Sequence, residues 1–131
     1  MKIGLIGAGR LGICLALLIE KAGYEVLASD NRVDYINSLQ KGIIDTAEPE
    51  VQQYLSNAKN IEFTTDNLRV ISECDLIFTL VATPSLADGS YDVSAVWKVI
   101  NDFKDSPILL EEKSLVVGCT TNPGDCNAFQ E

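Results

Sequence analysis

Short apolar runs of strand length alternate along the chain with stretches in which apolar residues recur at helical spacing. The predicted strands cover residues 2–6, 24–30, 61–65, 75–82 and 114–119. Strands that alternate with helices are joined by crossover connections, which place the strands parallel and the helices on both faces of the sheet. The sequence therefore predicts an α/β fold with a doubly wound, mainly parallel sheet, in which the apolar run 75–82 is buried on both faces.

The predicted helices fill the intervals between these strands. They are expected over 10–22, from Val33 to Gly42, over 49–56, up to Ile71 and from Asp92 through Ile100, and a further one begins within 122–131. Gly23 is placed to end the first helix and Asp92 to cap the fifth. A complete doubly wound sheet has one more strand than this chain provides. We therefore expect residues 1–131 to form one domain that lacks the last strand, either a fragment or an unusually short domain.

The composition of the chain excludes several classes of function. The 131 residues carry a net charge of −9 without a basic run, so nucleic acid and anionic membranes are poor partners. The apolar run at 11–19 is too short to span a bilayer. There is no histidine, and the four cysteines form no C-x-x-C pair, so we expect no metal site and no histidine-dependent catalysis. We expect reduced thiols and a cytoplasmic protein.

Three glycines with the spacing G-x-G-x-x-G connect the first strand to the first helix. In this context Gly7 permits a tight turn, Gly9 leaves room for a diphosphate beside the backbone, and Gly12 lets the helix pack close to the strand. The backbone N–H groups around Arg10 and Leu11 would point at the phosphates, aided by the helix dipole. The pattern predicts a Rossmann-type dinucleotide site.

An acidic residue at the end of the second strand strengthens this interpretation. Asp30 follows Gly12 by 18 residues, where a carboxylate accepts hydrogen bonds from the adenosine ribose and repels a 2′-phosphate. We therefore expect NAD as the cofactor rather than NADP. Arg32 opposes that preference, because an arginine near this position can hold a 2′-phosphate. The alternative, a glycine turn without a cofactor and a solvated Asp30, stays open at this point.

The sequence resembles the UDP-glucose/GDP-mannose dehydrogenases along nearly its whole length. The opening "MKIGLIGAGRLG", the segment "INSLQKGIIDTAEPEV" and the strand "IEFTTD" are similar to the corresponding parts of that family. The loop in "DLIFTLVATPSLADGSYDVS" is its most distinctive match, and "LVVGCTTNPGD" lies where the family has a strand followed by a proline and a glycine.

The resemblance implies an NAD-dependent UDP-sugar 6-dehydrogenase of the UDP-glucose to UDP-glucuronate type, acting in nucleotide-sugar metabolism and polysaccharide biosynthesis. The family's cofactor contacts fall here on Leu11, Asp30, Thr83 and Thr120, and Thr120 also matches a threonine that helps position a water near the reacting carbon. The family's catalytic cysteine, lysine and asparagine lie on segments that this chain does not contain. The resemblance thus implies a chain that binds NAD without catalysis, within a full-length homodimer whose substrate is a nucleotide sugar.

This chain departs from the family at several positions. Arg10 replaces a tyrosine, Tyr35 stands where a basic residue grips the ribose, Ala82 replaces a proline, and Gly118 replaces a lysine. Arg32 could substitute for the missing ribose grip. Cys119, which has no histidine to activate it, is interpreted as a passive side chain. Two other functions stay open: a stand-alone nucleotide-binding regulatory module, and the first domain of a different NAD-dependent dehydrogenase.

Overall fold

The computed structural model describes residues 1–107 and 112–131. Its strands are β1 (Lys2–Ile6), β2 (Glu25–Ser29), β3 (Ile61–Thr64), β4 (Leu76–Thr79) and β5 (Ser114–Val117). Its helices are α1 (Arg10–Lys21), α2 (Val33–Gln40), α3 (Val51–Asn57), α4 (Asn67–Glu73), α5 (Ser94–Lys104) and α6 (Asp125–Gln130). Each strand and helix predicted from the sequence is present. Over the residues described, no helix has both the length and the apolar character needed to cross a bilayer.

The five strands form one parallel sheet in the order β3-β2-β1-β4-β5. This order confirms the predicted Rossmann-type topology, in which the chain moves outward from β1 to β3 and then crosses back to β4 on the other side of β1. The direction of winding therefore reverses between β1 and β4. At such a point the connections diverge and leave a crevice at the carboxyl ends of the strands.

Helices cover both faces of the sheet, as the alternation of elements predicted. In the central strand β1, Leu5 packs with Leu17 of α1, whereas the next residue, Ile6, packs with Ile71 of α4 on the opposite face. The helices α2 and α3 lie with α1, and the helices α5 and α6 lie with α4. Successive side chains of a strand point to opposite faces, so β1 is apolar at nearly every position.

The strand β4 is shorter and less buried than its apolar sequence predicted. It ends at Thr79, and only Ile77 and Thr79 are buried, whereas Leu76 and Phe78 are half-buried. On the neighbouring strand β5, Val116 is exposed as well. The prediction of burial on both faces was therefore wrong for this strand. The reason is that α1, α2 and α3 pack mainly over β1, β2 and β3, so the same face of β4 and β5 is less covered.

The predicted helix signals act through identifiable backbone contacts. Gly23 follows α1 with φ of 99°, a conformation that glycine adopts without the strain that a Cβ would bring. The carboxylate of Asp92 accepts a hydrogen bond from the N–H of Ser94 at 3.0 Å, at the first residue of α5. The prediction for Gly23 is confirmed, whereas the N-cap of α5 is Val93, one residue after the predicted Asp92, and Val93 makes no side-chain capping bond.

Candidate functional site

A cavity of about 500 Å³ lies at the carboxyl edge of the sheet, where the winding reverses between β1 and β4. It is lined by the glycine loop after β1, residues 30–32 after β2, residue 67 at the start of α4, residues 80–82 after β4 and one side of α5. A larger cavity of about 670 Å³ lies beside β3, α2 and α3, and none of the predicted site residues lines it. The crevice at the switch point is where ligands bind in folds of this topology.

The glycine loop is tied to the end of β2 by two backbone hydrogen bonds. The amides of Gly7 and Ala8 both donate to the carbonyl oxygen of Ser29, at 2.8 and 2.9 Å. Gly7 has φ of 101°, and a Cβ there would lie 2.7 Å from the backbone of Leu80. Gly7 therefore forms a tight turn that packs between the end of β2 and the residues after β4.

The other two glycines have different surroundings. A Cβ built on Gly12 would overlap the carbonyl oxygen of Gly7, so this position requires glycine for α1 to approach the loop. A Cβ built on Gly9 would meet nothing nearer than the Nη2 of Arg32, at 4.0 Å. Gly9 thus leaves open space on the cavity side of the backbone, and a diphosphate needs such space to approach the chain.

The amino end of α1 faces this open space. Gly9 is its N-cap residue, it makes no side-chain capping bond, and the first turn contains no acidic residue. The first N–H groups of a helix, here those of Arg10, Leu11 and Gly12, have no carbonyl acceptor within the helix. Together with the positive end of the helix dipole, they favour an anion at this position.

Asp30 and Arg32 form a two-pronged ion pair at the rim of the cavity. The Nε of Arg32 donates to Oδ1 of Asp30 at 2.8 Å, and Nη2 donates to Oδ2 at 3.0 Å. The backbone N–H of Arg32 donates to Oδ1 as well, at 3.0 Å. The Asp30 side chain is 8% exposed and that of Arg32 is 56% exposed. The hydrogen bonds to Asp30 raise the pKa of Arg32, so the guanidinium is charged at every physiological pH.

The aromatic ring of Tyr35 packs against the guanidinium of this ion pair. The guanidinium of Arg32 lies 4.1 Å from the centre of the Tyr35 ring, and the Tyr35 hydroxyl donates to the carbonyl oxygen of Ala8 at 2.7 Å. Burial raises the pKa of Tyr35, which keeps the hydroxyl protonated and able to donate. The side chain therefore links the arginine to the glycine loop. The sequence marked Tyr35 only as a departure from the family, without this role.

The cavity brings together five of the nine residues predicted to bind the cofactor, namely Gly7, Gly9, Arg10, Asp30 and Arg32. The other four lie outside its lining. Gly12 is buried beneath the loop and Leu11 is 65% exposed on α1. Thr83 follows β4 and Thr120 follows β5, so both lie beyond the carboxyl edge of the sheet but outside the cavity lining.

Three polar residues of the cavity were missed by sequence reasoning, namely Asn31, Asn67 and Lys98. Asn67 begins α4, and its Oδ1 accepts a hydrogen bond from the buried Ser29 hydroxyl at 2.7 Å. Its position shortly after β3 is a signal that could have found it, because strand ends meet at one edge of the sheet. Lys98 enters from α5, on the helix side that apolar periodicity does not mark. The sequence carries no signal for Lys98.

The loops that carry Thr83 and Thr120 are joined by one asparagine side chain. Asn122 accepts a hydrogen bond from the N–H of Tyr91 at 2.8 Å and donates one to the carbonyl of Tyr91 at 3.0 Å. Asp125 in turn accepts from the N–H and the amide group of Asn122, at 2.8 and 2.9 Å. The loop after β4 is therefore held against the loop after β5.

The thiol of Cys119 is bound within the fold. It donates to the carbonyl oxygen of Thr79 at 3.2 Å, and burial raises its pKa. A raised pKa lowers the fraction of thiolate, which is the reactive form of the side chain. Within residues 1–107 and 112–131, no three His, Cys, Asp or Glu side chains come together as metal ligands.

These surroundings fit a dinucleotide. The open space beside Gly9, here called the cradle, would be filled by a Cβ at this position. The adjoining amino end of α1 favours an anion, and the carboxylate of Asp30 lies at the end of the neighbouring strand β2. Diphosphate and ribose are recognised by this combination in doubly wound folds.

Comparisons with known proteins identify the family of this chain. Residues 1–131 match the sequence profile described as UDP-glucose/GDP-mannose dehydrogenase family, NAD binding domain. A protein of Bacillus subtilis (strain 168), provisionally named UDP-glucose 6-dehydrogenase, is 32% identical over 124 residues, which are 95% of this chain and 28% of that protein. The UDP-glucose 6-dehydrogenase of Rickettsia bellii (strain RML369-C) is 28% identical over 130 residues, 97% of this chain and 30% of that protein.

Among solved structures, GDP-mannose dehydrogenase from Pseudomonas aeruginosa, in a ternary complex, superposes with a TM-score of 0.88 at 25% identity. The superposition covers 97% of this chain and 30% of that one. The chain thus spans less than a third of the length of each of these three proteins.

Proposed function

Because the chain belongs to the UDP-glucose/GDP-mannose dehydrogenase family, of which it is the NAD-binding domain, we propose that it serves a UDP-sugar 6-dehydrogenase of the UDP-glucose to UDP-glucuronate type. The observation that carries the proposal is the open cradle at Gly9, which faces the uncapped amino end of α1 with Asp30 at the adjacent strand tip. The relatives named UDP-glucose 6-dehydrogenase support the choice of sugar nucleotide.

In this proposal each part of the cavity has a separate task. The amides of Arg10 and Leu11 would bind the diphosphate, as the end of a helix favours. Asp30 and Arg32 would bind the adenosine ribose, and Thr83 would contact the cofactor from the loop after β4. Bound NAD supplies a hydride acceptor for alcohol oxidation.

Thr120 would lie at the boundary between cofactor and sugar. We propose, from the family resemblance, that it contacts the cofactor and helps to position a water near the reacting carbon. It follows β5 at the carboxyl edge of the sheet. Thr120 lies exposed on the loop after β5, which Asn122 ties to the loop after β4. The nucleophile and the sugar site would lie outside residues 1–131, so the chain alone would bind NAD without oxidising a sugar.

The proposal also covers the whole protein. It would be a homodimer with a nucleotide sugar as its substrate, as the family resemblance implies. The four cysteines of the chain are unpaired, which suits a reducing cytoplasm.

Calorimetric titration of this chain with NAD⁺ tests the proposal. We expect saturable binding that falls about tenfold or more for Asp30→Asn, because a charge-assisted hydrogen bond to the ribose is lost. Asp34→Asn is the matched control, since Asp34 is an exposed carboxylate on α2 outside the cavity, and its affinity should equal that of the parent. No heat and no thermal shift with NAD⁺ would remove the cofactor assignment for this chain.

A further inference from the structure

The hydrogen-bond acceptors of Asp30 are largely occupied by Arg32. Oδ1 accepts from both the backbone N–H and the Nε of Arg32, and Oδ2 accepts from Nη2. A carboxylate offers about four acceptor positions, so about one position on Oδ2 is left for a ribose hydroxyl. Asp30 is therefore not the bare anion that the sequence alone suggested.

The paired guanidinium changes the electrostatics of the ribose site. A carboxylate at this position excludes NADP because it repels the 2′-phosphate. Here a full positive charge lies within hydrogen-bond distance of both carboxylate oxygens, so the pair is neutral as seen from the cavity. Arg10 and Lys98 add two more cations to the cavity lining, in a chain whose net charge is −9. The local field thus favours an anion.

The guanidinium also retains donors, and its position is fixed. Of the five N–H groups of an arginine side chain, two are used on Asp30, which leaves about three. Stacking on Tyr35 and the anchoring of Tyr35 to Ala8 hold the group beside the glycine loop, with Nη2 4.0 Å from the Cβ position of Gly9. A planar group of donors held in this way matches a phosphate.

We propose, building on the dinucleotide-binding function above, that the Asp30–Arg32 pair seated on Tyr35 accepts a 2′-phosphate on the adenosine ribose, so that this chain binds NADP⁺ as well as NAD⁺. Oδ2 of Asp30 serves the hydroxyl of NAD⁺, and the remaining N–H groups of Arg32 serve the phosphate of NADP⁺. The specificity for the cofactor is thereby set by the pair rather than by the carboxylate.

The test compares dissociation constants for NAD⁺ and NADP⁺ by calorimetry, with ADP and adenosine 2′,5′-bisphosphate as the corresponding half-ligands. We expect NADP⁺ to bind the parent within about tenfold of NAD⁺. Arg32→Gln removes the donors and uncovers the Asp30 charge, and it should weaken NADP⁺ relative to NAD⁺ by a further tenfold or more. NAD⁺ should lose less affinity than NADP⁺ in this variant, so the ratio of the two dissociation constants carries the result.

Three further variants distinguish the effect of the Asp30–Arg32 pair from the effect of the cavity's total charge and from loss of the fold. Arg10→Gln removes a cation from the same cavity and should weaken both dinucleotides equally, so that their ratio stays that of the parent. Tyr35→Phe keeps the ring under Arg32 but loses the bond to Ala8, so it should change the ratio less than Tyr35→Ala, which removes the ring as well and should weaken NADP⁺ selectively. Circular dichroism of each variant verifies its fold.

The outcomes distinguish this inference from the function on which it rests. NAD⁺ binding with NADP⁺ more than about tenfold weaker overturns the inference and leaves the proposed function in place. The inference is also overturned if Arg32→Gln leaves the ratio of the NADP⁺ and NAD⁺ dissociation constants unchanged. Absence of binding by both dinucleotides overturns both proposals.

Discussion

Gly12 lies directly against the carbonyl of Gly7, so that a Cβ on Gly12 would overlap the Gly7 oxygen. The contact joins the first turn of α1 to the end of β1, and the obstacle is backbone, which cannot rotate away as a side chain can. We expect Gly12→Ala to lower the free energy of unfolding by at least about 2 kcal/mol. Urea unfolding followed by circular dichroism measures this change.

Gly9→Ala is the matched control, because a Cβ there meets only the end of a flexible arginine at 4.0 Å. Its φ of −67° suits any residue, and loss of a glycine N-cap costs about 1 kcal/mol or less. This variant should therefore stay folded but lose NAD⁺ affinity. Equal urea midpoints for Gly12→Ala and the parent would contradict the close packing.

An ionic network joins β1, β3 and α4 at the surface. Arg69 donates to Glu73 at 2.6 Å and to Glu62 at 2.5 Å, and Lys2 donates to Glu73 at 2.7 Å. The hydrogen bonds from Arg69 and Lys2 lower the pKa of Glu73 to about 2. A carboxyl with a depressed pKa contributes stability above its unfolded pKa, and that contribution is lost as the pH falls towards 2. The parent should therefore lose stability below about pH 5.

Glu73→Gln should remove this part of the pH dependence. The difference in urea midpoint between parent and variant should be present at pH 6 and should shrink steadily towards pH 2. Glu25→Gln, at an exposed glutamate of β2 outside the network, should follow the pH profile of the parent. A difference between parent and Glu73→Gln that grows on acidification would show that the network does not stabilise the fold.

Asn122 is expected to control the two loops near Thr83 and Thr120. Asn122→Ala removes two hydrogen bonds to Tyr91 and should cost about 1–3 kcal/mol. Asn122→Asp should be more damaging still, because it places a negative charge beside both the Tyr91 carbonyl and the Asp125 carboxylate. We expect hydrogen exchange at the Tyr91 amide to be slow in the parent, because this N–H donates to Asn122, and to accelerate in both variants. Unchanged exchange would mean that the loops are held by other contacts.

The cysteines should differ in reactivity according to their burial. Cys126 is exposed, whereas Cys119 is half-buried and Cys74 is buried, and burial raises the pKa of Cys74 to about 11. At pH 7.5 we expect iodoacetamide to label Cys126 first and the thiol of Cys119 at least about tenfold more slowly, because the thiolate is the reacting form. In the Cys126→Ser variant, the fast phase of iodoacetamide labelling should be absent. Labelling of Cys119 as fast as Cys126 would indicate an activated thiol and contradict its passive role.

The order and class of the elements could be read from the pattern of apolar residues, because that pattern reflects which face each element buries. Gly23 and Gly42 marked helix ends correctly, since their conformations, with φ of 99° and 73°, are local properties of the chain. The extent of β4 could not be read in this way. The residues of β4 are apolar whether or not they are buried, and their burial depends on whether a helix from elsewhere in the chain covers them.

The same distinction between local features and tertiary packing applies to the candidate site. The glycine loop and Asp30 were recognisable because their spacing follows from a turn and a strand end, both of them short-range features. The state of Asp30 was not recognisable, since it depends on how Arg32 folds back onto the carboxylate, how Tyr35 supports it and where Lys98 enters from α5. Spacing along the chain specifies which backbone groups can meet, whereas the charge that a ligand encounters is a sum over side chains that only the folded packing brings together.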